Sequence, residues 1–237
     1  MLTSYVALDL ETTGLSPKHD RIREIGAVKV IDGAPVEHLS RMVNPGRRLE
    51  ERITELTGIT DRDLVGAPCI EQLLPEVMAF LGELPLLGHR ILFDYSFLKK
   101  AAVDVRRPFE KQGVDTLRIA RRYLPELERK TLSSCCEYYA IPLQAHRAFH
   151  DAEAAHLLYQ RMAENFYKEE EGELFLPKEL HYAAKRDTPA TKPQKERLYR
   201  LLAQHNITLD AEVEKLSRSE ASRITDKLRA QYGKSSC

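Results

Sequence analysis

The sequence predicts an α/β fold in which helices cover a mixed β-sheet, with a small helical appendage at its C-terminal end. Three strand-like segments with tight connections open the chain, which predicts an antiparallel meander. Short apolar strands then alternate with amphipathic helices as far as residue 167. That order is typical of a mixed sheet, parallel in part, that is covered by helices. After a charged run, helical periodicity returns at residue 193.

The first strand starts at Tyr5 and leads into Asp9 and Glu11. Side chains two residues apart on a strand point to the same face, so these two carboxylates project side by side, away from Leu8 and Leu10. Burying them unpaired would cost several kcal/mol, which favours a nearby cation. A solvated strand end that carries two surface acids is the alternative.

Turn residues and hydrophobic periodicity place the other elements. Residues 22–31 and 36–43 are the next two strands, joined by an Asp32-Gly33 hairpin turn. Residues 84–88 and the segment from Val114 are short buried strands. Helices are predicted over residues 70–81, 94–102, 116–123, 131–139 and 151–167. In the tail, a helix follows Pro193, and a second helix begins at a Ser217-x-x-Glu220 capping box and stops at Gly233.

These patterns divide the chain into a domain over residues 1–168, a loosely structured linker over 169–192 and a helical module over 193–237. The chain has no net charge, but residues 1–176 carry a net charge of −5 and residues 177–237 carry +5. An acidic body with a basic tail fits a metal-binding domain joined to a part that contacts phosphate. It fits an ordinary solvated tail almost as well.

Cysteine usage and hydropathy predict a cytoplasmic protein without a membrane partner. The four cysteines form no Cys-x-x-Cys pair, so neither a zinc site nor a disulfide framework is expected. No apolar segment reaches the length of a membrane span, and Met1 is not followed by a signal-peptide pattern.

Three more residues are candidates for chemistry. Asp94 and Asp151 are each expected at the start of a helix, where the simpler interpretation is an N-cap. His146 lies on the loop before Asp151, and taken alone it is simply a surface histidine. With Asp9 and Glu11 they make four acids at the ends of secondary structures and one histidine beside the last acid.

In these segments the sequence resembles the DnaQ-like, DEDDh-type 3′–5′ exonucleases. The three family motifs appear in order as Asp9-Leu10-Glu11-Thr12-Thr13-Gly14, as Gly88-His89 to Phe93-Asp94 followed by Phe97-Leu98, and as His146-Arg147-Ala148-Phe149-His150-Asp151-Ala152. Residues 21–28 also resemble the second strand of the family. The resemblance covers about residues 4–165 and implies a ribonuclease H-like fold.

Two details refine the resemblance. The sequence Thr57-Gly58-Ile59-Thr60, followed by Ala67-Pro68, is most similar to the exonucleases of bacterial replicative polymerases. Arg90 stands where many relatives have asparagine after the motif histidine, which puts the local loop and its substrate contact in question but leaves the acids unaffected.

The resemblance implies phosphodiester hydrolysis with two divalent cations, Mg²⁺ or Mn²⁺. Carboxylate oxygens suit these ions, and two of them about 4 Å apart neutralise charge on the entering and leaving oxygens. We expect Asp9 to bridge the two ions, Glu11 and Asp151 to complete the first site, and Asp94 to support the second.

His146 is the expected general base, because a histidine side chain ordinarily titrates near pH 6.5 and can take a proton from the attacking water. On the resemblance, His150 is a spacer.

Substrate contacts are expected from Thr12, Thr13, His89 and Phe97. The two threonines would offer backbone N–H groups to the terminal nucleotide, whereas phenylalanines in these motifs fit the core better than a base-stacking role. The expected partner is a nucleic acid with a free 3′ end, with DNA favoured over RNA. A DNA polymerase, or another replication or repair protein, is a further expected partner.

Two alternatives remain open at this point. One is a 3′–5′ exoribonuclease, which would keep the mechanism and change the substrate. The other is a catalytically silent nucleic-acid-binding module, against which the intact set of acids and histidine argues.

Overall fold

The computed structural model describes residues 1–48, 58–170, 172–209 and 212–233. Its sheet has six strands in the order β3-β2-β1-β4-β5-β6. The strands are β1 (Tyr5–Thr12), β2 (Ile22–Ile31), β3 (Ala34–Met42), β4 (Leu86–Gly88), β5 (Gln112–Asp115) and β6 (Lys178–Glu179). β1, β2 and β3 pair antiparallel, whereas β1, β4 and β5 pair parallel. The predicted meander within a mixed sheet is therefore confirmed.

Seven helices accompany the sheet in the described residues. They are α1 (Ile70–Leu81), α2 (Ile91–Asp104), α3 (Thr116–Tyr123), α4 (Leu132–Tyr138), α5 (Ala148–Phe166), α6 (Lys192–His205) and α7 (Arg218–Tyr232). None of the helices in this part of the chain has both the length and the apolar character that crossing a bilayer requires. The first residue of the Thr-Gly-Ile-Thr sequence, Thr57, lies outside the described residues.

The alternation of side chains along β1 sorts its residues between two helical layers. Leu8 and Leu10 join the hydrophobic cluster formed with α1 and α2. Tyr5 and Ala7 join the cluster formed with α3, α4 and α5. Asp9 and Glu11 follow the same two-residue period as Tyr5 and Ala7, so they lie on the face opposite Leu8 and Leu10, as predicted, and this face is the α5 side of the sheet.

A glycine allows α5 to cross β2 at contact distance. A Cβ atom on Gly26 would lie 2.0 Å from the carbonyl carbon of Ala148, the first residue of α5. No larger residue fits there without displacing the helix. This close approach brings the residues before and within the first turn of α5 next to the end of β1.

The segment predicted as a linker differs from that expectation in its middle part. Phe175 is fully buried against the second cluster, and β6 adds an antiparallel strand beside β5. Residues 172–182 thus pack against the predicted domain of residues 1–168, which is called the body below. Beyond them, α6 and α7 share a separate hydrophobic cluster that includes Leu198, Leu201 and Leu228.

Candidate active site

A cavity of about 310 Å³ opens at the C-terminal end of β1. Its lining includes all five residues that the motifs predict for catalysis: Asp9, Glu11, Asp94, His146 and Asp151. Such a volume is at the low end of small-ligand pockets, which run from roughly 300 to 1,000 Å³. Residues from β1, α2 and the loop before α5 meet here because β1 is central in the sheet and α5 crosses it.

Three of the carboxylates converge closely. One oxygen each from Asp9, Glu11 and Asp151 can be chosen so that all three lie within 4.8 Å of one another. Carboxylate oxygens at this spacing are the donors that hard divalent cations prefer. The donor set therefore fits a divalent metal ion.

Asp94 and Asp151 are not helix caps, which corrects the simpler interpretation of both residues. Each lies within the first turn of its helix, and the N-caps are Arg90 and Arg147. Each carboxylate accepts a backbone hydrogen bond, that of Asp94 from β1 and that of Asp151 from the loop before α5. The Leu10 N–H donates to Asp94 Oδ1 at 3.0 Å, and the His146 N–H donates to Asp151 Oδ2 at 3.0 Å.

The carboxylates destabilise one another in their charged forms. Burial raises the pKa of Asp9 well above its usual range, and the neighbouring charges of Asp94 and Asp151 raise it further. Burial is also the main reason that the pKa of Asp94 is raised. It raises the pKa of Asp151 to about 7, although the hydrogen bond from His146 acts in the opposite direction. A cation in the cluster would remove this repulsion.

His146 is exposed and lies beside the cluster in a strained backbone conformation. Its φ angle is +69°, in the left-handed region that non-glycine residues rarely adopt. Such strain concentrates at functional sites. His150, four residues on, lies in α5 against Phe149 and is absent from the lining of the cavity.

Ion pairs beside the carboxylates were not predicted from the sequence. Arg23, only 1% exposed, donates to Glu11 Oε2 at 2.6 Å and to the Thr12 carbonyl at 3.2 Å. Glu24 is equally buried and pairs with Arg147 at 3.2 Å. The feature that could have indicated these charged neighbours is the predicted pairing of β1 with β2, which places Glu24 opposite Glu11.

Of the four residues predicted to contact substrate, one lines the cavity and three do not. His89 lines the cavity, but its ring is held by the protein: Nε2 donates to the Lys130 carbonyl at 2.8 Å, and Nδ1 lies 2.9 Å from the Thr116 hydroxyl. Burial lowers the pKa of His89 and so favours the neutral ring. The imidazole thus joins the end of β4 to the loop before α4.

The two threonines and Phe97 do not line this cavity. The Thr13 N–H donates to the Arg21 carbonyl at 2.8 Å, so it is not free for a nucleotide. The Thr12 hydroxyl donates to the Gly14 carbonyl at 2.7 Å. Phe97 is 3% exposed and packs in the first core cluster, with its ring 5.0 Å from that of Phe93.

Arg90, which replaces the usual asparagine, lies at the rim of the cavity. Its φ angle is +77°, and its backbone N–H donates to Asp115 Oδ1 at 2.9 Å. Asparagine adopts this conformation more readily than arginine, so the substitution adds backbone strain in exchange for an exposed cation. The guanidinium carbon lies 5.7 Å from the centre of the Phe93 ring.

Comparison with protein families and sequences supports the resemblance. Residues 6–159 match the model of the exonuclease family RNase_T. The chain is 33% identical over 166 residues to DNA polymerase III subunit epsilon of Aquifex aeolicus, a match that covers 69% of this chain and 82% of the relative. It is 40% identical over 151 residues to the PolC-type DNA polymerase III of Clostridium perfringens. This match covers 63% of the chain but only 10% of that relative, so the chain spans about a tenth of its length.

Solved structures share the fold. The chain resembles exonuclease X in complex with 5′-overhanging duplex DNA, with a TM-score of 0.55 and 24% identity over 72% of this chain and 98% of that one. It also resembles the nuclease domain of 3′hExo, a DEDDh family member bound to rAMP, with a TM-score of 0.59 and 20% identity over 69% and 92% of the two chains. The fold is ribonuclease H-like, and the chain belongs to the RNase_T exonuclease family, with sequence similarity to the epsilon subunit of DNA polymerase III.

Proposed function

We propose that this exonuclease hydrolyses the phosphodiester bond at the 3′ end of DNA, releases nucleoside 5′-monophosphates, and acts in proofreading or repair. The observation that carries the proposal is the convergence of Asp9, Glu11 and Asp151 within 4.8 Å in a cavity that His146 also lines. DNA is favoured because relatives that are 33% and 40% identical to the chain are DNA polymerase III proteins. For the same reason we infer that a DNA polymerase is its partner.

Mg²⁺ or Mn²⁺ would be held by the four acids. Asp9 would contribute to the binding of both ions, Glu11 and Asp151 would help to hold one of them, and Asp94 would help to hold the other. Two such cations supply charge neutralisation at the attacking and leaving oxygens of the phosphodiester. Oxygen ligands and the lack of cysteine in the cavity lining favour these hard ions over softer metals.

The protein's own groups prepare the site for this chemistry. Arg23 fixes one oxygen of Glu11 and leaves the other free to bind a cation. The backbone N–H of Leu10 and that of His146 orient Asp94 and Asp151 in the same way. The exposed imidazole of His146 takes a proton from the attacking water, which is the role of a general base.

The direct test is an assay of purified protein with Mg²⁺ or Mn²⁺ on three end-labelled substrates. These are single-stranded DNA, duplex DNA with a mismatched 3′ end, and RNA of the same sequence. We expect stepwise shortening from the 3′ end of both DNA substrates and no activity in EDTA. Faster degradation of RNA than of DNA would replace the DNA assignment with the exoribonuclease alternative. Binding without any cleavage would support the silent module instead.

The raised pKa values make metal binding dependent on pH. Without metal, the folded protein holds a proton on Asp151 near pH 6, where the unfolded chain has already released it, and burial favours the protonated forms of Asp9 and Asp94 as well. The stability that these protonated groups contribute is therefore lost as the pH rises through about 7, the value for Asp151. Metal ions compete with these protons, so apparent metal affinity should weaken by about tenfold per pH unit for each proton displaced as the pH falls.

Thermal unfolding with and without excess Mn²⁺ would measure this effect, because a ligand that binds only the folded state stabilises it. We expect the increase in melting temperature caused by the metal to be larger at pH 8 than at pH 5.5. A metal-induced increase that is the same at both pH values would contradict binding by these carboxylates.

A further inference from the structure

A second and larger cavity lies between the body and the C-terminal helices. Its volume is about 1040 Å³, more than three times that of the candidate active site. One wall comes from the loop after β1 and from residues 182–188, and the other wall is the outer face of α7. The opposite face of α7 buries Ala221, Thr225 and Leu228, and Ala221 and Leu228 belong to the hydrophobic cluster shared with α6.

The lining of this cavity is strongly basic. Seven lysine and arginine residues stand against two aspartates: Lys18, Lys100, Lys185, Arg186, Arg218, Arg223 and Lys227 against Asp187 and Asp226. Lys100 already pairs with Asp187 at 3.4 Å. The other six cations are exposed, and within the described part of the chain none of them forms an ion pair.

These unpaired cations create a positive local field. Burial lowers the pKa of His19, which lines the same cavity, and the charges of Lys18 and Arg223 lower it further. Clustered cations of this kind repel one another and hold counterions, which a polyanion can displace. Guanidinium groups are also well suited to binding phosphate oxygens in pairs.

The basic cavity is next to the active site because one loop borders both. Residues 13–21 form the loop between β1 and β2. Leu15 lines the active-site cavity, whereas Lys18 and His19 line the basic one. The loop is fixed in place from two sides. Arg47 donates to the His19 carbonyl at 3.0 Å, and Arg21 pairs with Glu220 of α7 at 2.6 Å.

From this geometry we infer that the basic cavity binds the phosphates of a single nucleic-acid strand whose 3′ end lies in the active site. Six dispersed cations exceed what one phosphate group can use, and they match the repeated charge of a strand. Tyr182, which is half-buried in the same wall, offers an aromatic ring of the kind on which bases stack. The inference rests on the proposed function only for the direction in which the strand runs.

The test is binding of the full chain to a 5′-fluorescein-labelled single-stranded oligonucleotide of about 20 nucleotides, which exceeds the site sizes typical of such grooves. Fluorescence anisotropy would be measured in EDTA across a salt series, so that no cleavage occurs. In the triple variant Arg218→Gln, Arg223→Gln, Lys227→Gln, we expect affinity to fall by about tenfold or more. The slope of log affinity against log salt should become shallower by about 2, because each lost contact to a single strand contributes about 0.7.

A matched control removes three exposed cations from α6, outside the cavity lining: Lys192→Gln, Arg197→Gln and Arg200→Gln. This control should bind like the wild type, and both variants should keep the wild-type circular dichroism spectrum. If the first variant misfolds, the double variant Lys18→Gln, Lys185→Gln removes charge from the body side and should weaken binding in the same direction.

Three results would overturn the inference. They are wild-type affinity and slope in the cavity variants, an equal loss in the α6 control, and complete displacement of the strand when phosphate replaces chloride at equal ionic strength. The last result would indicate a site for a small anion. Because the measurement needs no catalysis, a protein that binds the strand but cleaves nothing would contradict the proposed function and leave the basic cavity supported.

Discussion

Replacing Asp9 by asparagine is expected to reduce exonuclease turnover by at least about a thousandfold. Charge stabilisation by two metal ions accounts for several kcal/mol of the barrier to phosphodiester hydrolysis, and about 4 kcal/mol corresponds to that factor. The charges of Asp94, Asp151 and Glu11 all raise the pKa of Asp9, so we expect removal of its carboxylate charge to weaken the binding of cations by the whole cluster. The measurement is single-turnover cleavage of end-labelled DNA at saturating Mn²⁺.

The same substitution should have the opposite effect on stability. Asparagine removes the charge that repels the neighbouring carboxylates, so metal-free Asp9→Asn should melt at a higher temperature than the metal-free wild type at pH 8. A loss of activity together with this gain excludes unfolding as the cause. Asp32→Asn, in the exposed hairpin turn, is the matched control and should be fully active. Substantial activity of Asp9→Asn in metal-containing buffer would rule out its role as the bridging ligand.

Replacing His146 by alanine should lower turnover by about a hundred- to ten-thousandfold, which is the range for removal of a general base. Metal binding should persist, because the hydrogen bond from residue 146 to Asp151 comes from the backbone N–H and not from the imidazole. Raising the pH should partly rescue the variant, since hydroxide needs less help than water. Turnover from pH 6 to pH 9 and the metal-induced increase in melting temperature are the two measurements.

His150→Ala is the control for this prediction, since His150 belongs to the same motif segment but does not line the cavity. It should retain turnover close to that of the wild type. If His150→Ala were the inactive variant and His146→Ala were active, the general base would have been assigned to the wrong histidine.

Local sequence patterns predicted those elements whose ends carry their own chemical signals. Strand β2 and helices α1 and α3 begin and end where the periodicity places them. The β2–β3 turn has positive φ at Asp32 and Gly33, as an Asp-Gly hairpin requires. The capping box at Ser217 and Glu220 likewise begins α7.

The starts of α2 and α5 were predicted three residues too late, and both have the same physical cause. Their N-caps are Arg90 and Arg147, neither of which forms a side-chain capping hydrogen bond, so the sequence carries no start signal there. The aspartate three to four residues further on was the first recognisable signal. An aspartate near the start of a helix is the usual N-cap signal, so the sequence alone favours a capping role for Asp94 and Asp151 over a functional one.

The convergence of the carboxylates could be predicted only through the family motifs. Asp94 follows β4, which pairs parallel to β1, and Asp151 belongs to α5, which crosses β2 at Gly26. Neither arrangement can be recognised from a local sequence pattern. The burial of Arg23 could not be predicted from the sequence for a related reason. A charged residue on a strand suggests a solvated face, whereas this one is buried because Glu11 on the neighbouring strand compensates its charge.

The position of α5 has a consequence for when nuclease activity first appears during synthesis. Strand β1 can pair with β2 as soon as both emerge from the ribosome, but His146 and the Asp151 carboxylate arrive only when α5 docks at Gly26. A nascent chain, or a proteolytic fragment that ends before residue 146, would display the acids of β1 on an uncovered sheet face and would lack both His146 and Asp151. Since domains fold as units during translation, we expect no nuclease activity from any form of the chain that ends before this helix.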